Sequence, residues 1–188
     1  GKEPTAIQKE QLLATYYDRY NARILNMIRA TRRPIVVVAF DNTADYKIGV
    51  NGNGSDRIMP NIDLANDGAK GSADVDEEGI RRKVITTCHP KFLAEFAHQL
   101  SKALRQQGLC PDVSLNTYDD EPYDQVGELA QRFSTRRAQN LDVSQPVHSF
   151  QIEYNTRITH SKQGDALVPN HKAMQKLRIA HERAMYKT

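Results

Sequence analysis

The chain has 188 residues and a formal charge of +3, with 39% apolar and 26% charged residues. That length and balance suit one globular domain of ordinary soluble composition and leave little room for a second full one. The longest unbroken apolar run, Ile35 to Phe40, is six residues, far below the ~20 that a membrane-spanning helix needs. No N-terminal stretch combines a basic start, an apolar core and a small-residue cleavage site, so secretion is not expected. Cys88 and Cys110 stand at a spacing that matches neither a zinc ribbon nor a CxxC pair. They read as free thiols in a reducing, cytoplasmic setting, with a single disulfide as the alternative.

Thr5 followed by Gln8 fits a capping box, and Leu13, Tyr17, Tyr20, Ile24 and Ile28 recur at helical spacing. A helix is therefore expected from Thr5 to about Ala30. Arg29, Arg32 and Arg33 suit its C-terminal end, and Pro34 stops it. Ile35–Ala39 reads as a strand buried on both faces, as in the centre of a parallel sheet. Asn51-Gly52 and Asn53-Gly54 are turn signals. The run Asp63–Glu78 holds six acids against Lys70, with Gly68 and Gly71. It is expected to be a flexible acidic insertion, at about 61–80, because it has too little apolar surface to offset its ordering entropy. It lacks the alternating ligand spacing of a calcium loop.

The next helix is expected from Pro90 to Gln107, striped by Phe92, Phe96, Leu100, Ala103 and Leu104, with Gly108 at its C′ position. Val113–Leu115 follows as a short strand, and Val126, Leu129, Ala130 and Phe133 suggest a short helix. Val147–Asn155 is a second strong strand. A last helix runs from about Asn170 to Tyr186, with Ala173, Leu177, Ala180 and Ala184 inward. Arg157 to Thr188 carries seven basic residues against Asp165 and Glu182. A solvated helix face explains that better than a nucleic-acid surface, because no aromatic platform or arginine-rich run accompanies it. The order of elements predicts a single α/β domain over residues 1–188, a three-layer mixed, largely parallel sheet flanked by helices.

The second strand carries the first candidate for chemistry. Its alternation puts His148, Phe150, Ile152 and Tyr154 on one face and Ser149, Gln151, Glu153 and Asn155 on the other. Arg157 keeps the parity of Glu153 if the strand continues. A row of this kind is costly to bury unless it lines a site, and alternation alone leaves equal room for the solvent face of an edge strand. The six histidines are scattered without ligand spacing. His98 and His181 read as surface or boundary residues, His148 as a core histidine, and His89 as either a helix cap or a cleft residue. No GxGxxG, GxxxxGK[ST], GxSxG or HExxH motif is present.

One short stretch, IVVVAFDNT (Ile35–Thr43), resembles the first motif of the haloacid-dehalogenase-like phosphatases, Asp-x-Asp-x-Thr after an apolar strand. Ala39 stands where that family has its nucleophile, and a methyl group cannot replace a carboxylate. The resemblance would imply an inactive phosphatase, with Asp41 at the acid/base position.

A broader resemblance covers most of the chain. QLLATYYDRYNARILNMI (Gln11–Ile28) and the strand after it, CHPKFLAEFAHQLSKALRQQG (Cys88–Gly108), DVSLNTYDDEPYD (Asp112–Asp124) and VHSFQIEYNTRI (Val147–Ile158) resemble, in order, segments of the N-formylglutamate amidohydrolase-like family. The last is similar to that family's VHxxQIEINRxL strand. The resemblance implies a zinc-dependent amidohydrolase of the carboxypeptidase-like α/β type, acting on the linear amide of a small N-acyl amino acid. Glu153 would be the general base and Arg157 would grip the substrate carboxylate, with Asn155, Asn116 and Tyr118 in the same cleft.

The sequence also departs from the family. The segment with its first histidine and acidic metal ligands has no counterpart before Gln11. Ala39-Phe40-Asp41-Asn42 stands where a later histidine is expected, and Tyr123-Asp124-Gln125 replaces a Gly-Gly pair. Asp41 and His89 are the substitute metal ligands that the sequence offers. With 188 residues short for the family's whole catalytic domain, three readings fit: a fragment, a subunit completed by a protein partner, or a non-catalytic binding or assembly component with a basic C-terminal helix. Catalysis is left open on these grounds, and the expected partner is a small-molecule substrate or a completing protein, not a membrane.

Overall fold

The computed structural model describes residues 3–43, 47–49, 56–58, 60–66, 86–116, 128–136, 141–164 and 166–188. The N-terminal helix starts where the sequence caps it: Gln8 N donates to Thr5 Oγ1 at 3.3 Å and Thr5 N to Gln8 Oε1 at 2.9 Å. It runs as α1 (Ala6–Leu12), a π turn (Leu13–Tyr17) and α2 (Asp18–Ala30). The wider turn puts an extra residue into the spiral and so rotates the side chains of α1 out of phase with those of α2. The apolar stripe read along the whole helix therefore breaks. Leu13 is 51% exposed and Tyr20 is exposed too, while Ile24 and Ile28 reach the core. Thr31, in extended conformation, ends α2 before Pro34.

The main sheet has four strands in the order β1 (Ile35–Thr43), β6 (Val147–Asn155), β4 (Ile62–Ala65), β5 (Val113–Leu115). β1 runs parallel to β6 from Ile35↔Val147 to Thr43↔Asn155, and β4 is antiparallel to β6 and parallel to β5. β1 is thus an edge strand of this sheet, not its centre. It is apolar on both faces because helices flank it on both, which is independent of how many strands pair with it. The acidic run also needs correction. Its first residues form β4 in the core, with Asp63 1% exposed and Ile62 and Leu64 fully buried; residues 67–80 lie outside the described ones. Two hairpins complete the strands: β2 (Lys47–Gly49) with β3 (Asp56–Ile58), and β7 (His160–Gln163) with β8 (Ala166–Pro169). Gly164, at φ +60, supplies the left-handed turn residue between β7 and β8.

Helix α3 (Pro90–Gln106) and helix α6 (His171–Met185) cover one face of the sheet. Leu93, Phe96, Leu100 and Leu104 meet Phe150, Ile152, Ile62 and Leu64 there, with Leu177, Ala180 and Ala184 beside them. Gly108 at φ +67 closes α3 at the position expected for it. On the other face, α2 and the short α4 (Glu128–Arg132) cover the beginnings of β1 and β6 through Ile28, Phe133, Leu129, Ile35, Val37 and Val147. The result is the three-layer α/β arrangement with a largely parallel sheet. No described helix is long and apolar enough to cross a membrane.

The α6 side holds an aromatic cluster with one polar pair. Tyr154 Oη is hydrogen-bonded to His181 Nε2, and the imidazole packs edge-on to Phe40 and Tyr154 and tilted against Phe96. His181 is therefore a boundary residue, half-buried and packed among these rings. Burial pushes its pKa from 6.5 down to about 4 and raises that of the Tyr154 hydroxyl.

This packing can be tested at two positions. Phe96→Ala should cost about 3–5 kcal/mol in urea unfolding, against under ~1 kcal/mol for Leu12→Ala on the exposed side of α1. For His181 the unfolded chain takes up a proton first as pH falls. Its contribution is then fully present above about pH 6.5 and is lost as pH drops through 4, by up to roughly 3 kcal/mol. His181→Phe should flatten the fall in urea midpoint between about pH 6.5 and 5. His148, lowered chiefly by burial as well, accounts for the slope that stays.

Candidate functional site

β6 lies between β1 and β4, so its polar row is interior and not the solvent face of an edge strand. Ser149, Gln151 and Asn155 are buried, and Glu153 is half-buried. Ser149 Oγ donates to Ala130 O, and its backbone N–H donates to Thr87 O at 3.1 Å. Gln151 Nε2 donates to Glu153 Oε1 at 2.6 Å, which orients the carboxylate along the strand.

Sheet register extends the row sideways. Glu153 is the partner of Asp41 on β1 and of Asp63 on β4, and Asp63 is the partner of Ser114 on β5. Paired residues share a face, so Asp41, Glu153, Asp63 and Ser114 form one line across the sheet. Ser114 Oγ donates to Asp63, and the backbone N–H of Asn42 donates to Asp41 Oδ1 at 2.7 Å. This line crosses near the carboxyl ends of the parallel pair β1 and β6, where open α/β sheets take their ligands. A cleft of about 400 Å³ opens on the same side, lined by Tyr20, Ala39, Asp41, Leu129 and Gln151.

The strand does not continue to Arg157. Asn155 Oδ1 accepts from Arg157 N at 3.0 Å and so caps the single helical turn α5 (Thr156–Thr159). Arg157 leaves the strand parity, and its Nε donates to Asn61 Oδ1 at 2.6 Å. Asn155 N donates to Asn61 O at 2.9 Å, so Asn61 gathers Arg157 and the end of β6. Asn155 Nδ2 is buried with no hydrogen-bond partner among the described residues. Asn116, with φ 48, is buried against Asn66: each side chain bonds the other residue at 2.9 Å. Asn155 thus caps α5 at the end of β6, whereas Asn116 ties the ends of β5 and β4 together through Asn66, away from Glu153. Tyr118 lies outside the described residues.

Asp41 and His89 are not brought together. His89 caps α3, its Nδ1 accepting from Lys91 N at 3.3 Å. Its electrostatic neighbour is His148, which stacks on Phe92 on the apolar face. His148 lies five residues before Glu153, roughly 16 Å along the strand and on its other side. Among the described residues, no three His, Cys, Asp or Glu side chains are grouped to hold a metal ion. Both cysteines are free. Cys88 is buried, with its thiol pushed up to about 12 by burial, and Cys110 is exposed.

The sequence reading missed Asp63, Asn61 and Ser114. The signal for the first two was the alternation Asn61-Ile62-Asp63-Leu64 after Pro60, a half-polar strand pattern inside an acid-rich stretch.

No protein-family model and no curated protein matches this chain. Among solved structures it resembles that of N-formylglutamate amidohydrolase from Ralstonia eutropha JMP134, with a TM-score of 0.54 and 16% sequence identity. The match covers 98% of this chain and 57% of the other, so the chain spans little more than half of its structural neighbour. At that identity the likeness is one of fold alone.

Proposed function

We propose that the chain is an amidohydrolase-like protein that takes a small N-acyl amino acid, N-formylglutamate-like, against the β6 row. Glu153 removes the proton from the water that attacks the acyl carbon and returns it to the departing amine as the C–N bond breaks, and Arg157 pairs with the substrate carboxylate. The observation that carries this reading is the position of Glu153. It is a half-buried carboxylate oriented by Gln151, at the carboxyl end of the central strand of an amidohydrolase-like fold. A carboxylate so held suits general-base work, since its orientation is set before substrate arrives. Arg157, braced by Asn61 through Nε, presents a planar cation of the kind that grips carboxylates. Asn155 holds the start of α5 beside Arg157, and Asn116 holds the end of β5 to Asn66.

The zinc that the resemblance implies does not fit the described donors, because Asp41 and His89 lie apart and no ligand group is assembled among them. No step is therefore routed through a metal. Hydrolysis of an unactivated amide also needs its carbonyl polarised. The lack of an assembled ligand group among the described residues favours a second reading, in which the same row binds the N-acyl amino acid without turning it over.

Formate release from N-formylglutamate and calorimetric binding separate the two. On the first reading the purified chain releases formate, Glu153→Gln lowers kcat by at least about 100-fold, and Arg157→Ala raises KM about tenfold or more with kcat little changed. On the second, the ligand binds without formate release and Arg157→Ala weakens binding. A chain that neither binds nor hydrolyses N-formylglutamate refutes both.

A further inference from the structure

The outer edge of β1 faces no strand among the described residues, although β1 is nine residues long and apolar from Ile35 to Phe40. Edge strands of soluble proteins are normally blunted by lysine, proline or a bulge, and that stretch contains no charged residue or proline. All three layers end in apolar surface at this edge. Phe40 is 63% exposed in the strand, and Tyr20 and Met27 are exposed on the α2 side. On the α6 side a groove of about 700 Å³ is lined by Phe40, Tyr154, Met174, Leu177, His181 and Met185.

Charge along the edge is polarised. Arg29, Arg32 and Arg33 stand exposed where it begins, while Asp41 stands exposed where it ends; Glu182 nearby is paired with Arg178 at 3.7 Å. A parallel neighbour of the same kind would set like charge on like; an antiparallel one sets basic on acidic.

We propose that this edge pairs with the same edge of a second copy of the chain, antiparallel about a two-fold axis, joining two four-stranded sheets into one. Centring the pairing on Val37 sets Ile35 opposite Ala39 and Val36 opposite Val38. Arg33 then stands opposite Asp41 of the second copy, and Pro34 opposite Phe40. The two-fold repeats each contact, so the charged pair occurs twice. The same operation brings the exposed Tyr20 and Met27 toward their counterparts on one face, and the α6 groove toward its counterpart on the other.

Sedimentation velocity on the 188-residue chain, from about 1 to 200 µM, tests this. The native chain should show a monomer–dimer equilibrium. Arg33→Asp and Asp41→Arg, both at exposed positions, should each weaken it about tenfold or more by opposing like charges twice per dimer. The double variant should return within about threefold of the native constant, which no effect confined to one residue would produce. A native chain that stays monomeric at the highest concentration overturns the proposal. So does a double variant no tighter than the weaker single one.

Discussion

A strand in the middle of a sheet must satisfy two faces at once, and β6 does so by opposite means. One face is apolar and is closed by α3 and α6; the other carries Ser149, Gln151, Glu153 and Asn155 into the interior. A buried polar group left without a partner costs about 1–3 kcal/mol, so the members of that row recruit neighbours, Asn155 through its Oδ1 while its Nδ2 has none among the described residues. Ser149 draws in Ala130 of the short α4 and, through its backbone, Thr87. Thr87 O also accepts from Ser134 Oγ, and Arg136 Nε donates to Thr86 O. Thr135 exchanges bonds with Val147 at the strand's first residue. The irregular segments around 86–88 and 134–136 are thus located by directional bonds to one strand and its neighbours, together with the burial of Cys88 in the core.

The opposite face obeys another rule. Phe96, Phe150 and the leucines of α3 fill volume, and the described polar tie from its aromatic cluster is Tyr154 with His181. Apolar packing tolerates volume-conserving change and resists loss of volume, while a hydrogen-bonded row resists any change of donor or acceptor. On the second kind of surface the rotamers are fixed by bonds such as Gln151 to Glu153 and Asn61 to Arg157.

Much of the framework was legible because it is written locally. Val147–Asn155 declared itself by strict alternation, α3 by Pro90 and Gly108, and the first helix by the Thr5–Gln8 box. The features that stayed hidden depend on neighbours remote in sequence. Ile35–Phe40 reads as a buried strand whether one strand or two pair with it, so its edge position could not be read from its residues. β4 was lost for a different reason. Four buried residues were averaged with the acids after them, and composition over sixteen positions described the longer part. The misplacement of Arg157 had a finer cause. Asn155 can serve equally as a strand residue and as a helix cap, and its side-chain oxygen accepts from the very N–H that starts α5. The likeness to an amidohydrolase structure agrees with the fold expected from those segments, whereas the metal ligands that the resemblance would require were never legible. Asp41 and His89 serve different parts of the molecule, one at the end of β1 and the other at the start of α3.

The line of carboxylates across the sheet sets three acids in three different surroundings. Like charges directly opposite on neighbouring strands are unfavourable, and the fold offsets this by giving each acid its own donor: Asn42 N for Asp41, Gln151 for Glu153, Ser114 for Asp63. Exposure falls along the same line, from Asp41 in solvent through half-buried Glu153 to Asp63 in the core. Asp41 is held by one backbone N–H and otherwise faces solvent. A carboxylate sealed in the core reaches no substrate. Glu153 lies between those limits, oriented and still accessible, with acids on both sides. Those neighbours disfavour adding another negative charge at this point of the sheet, and the cation of Arg157 stands apart from them, beyond the strand's end.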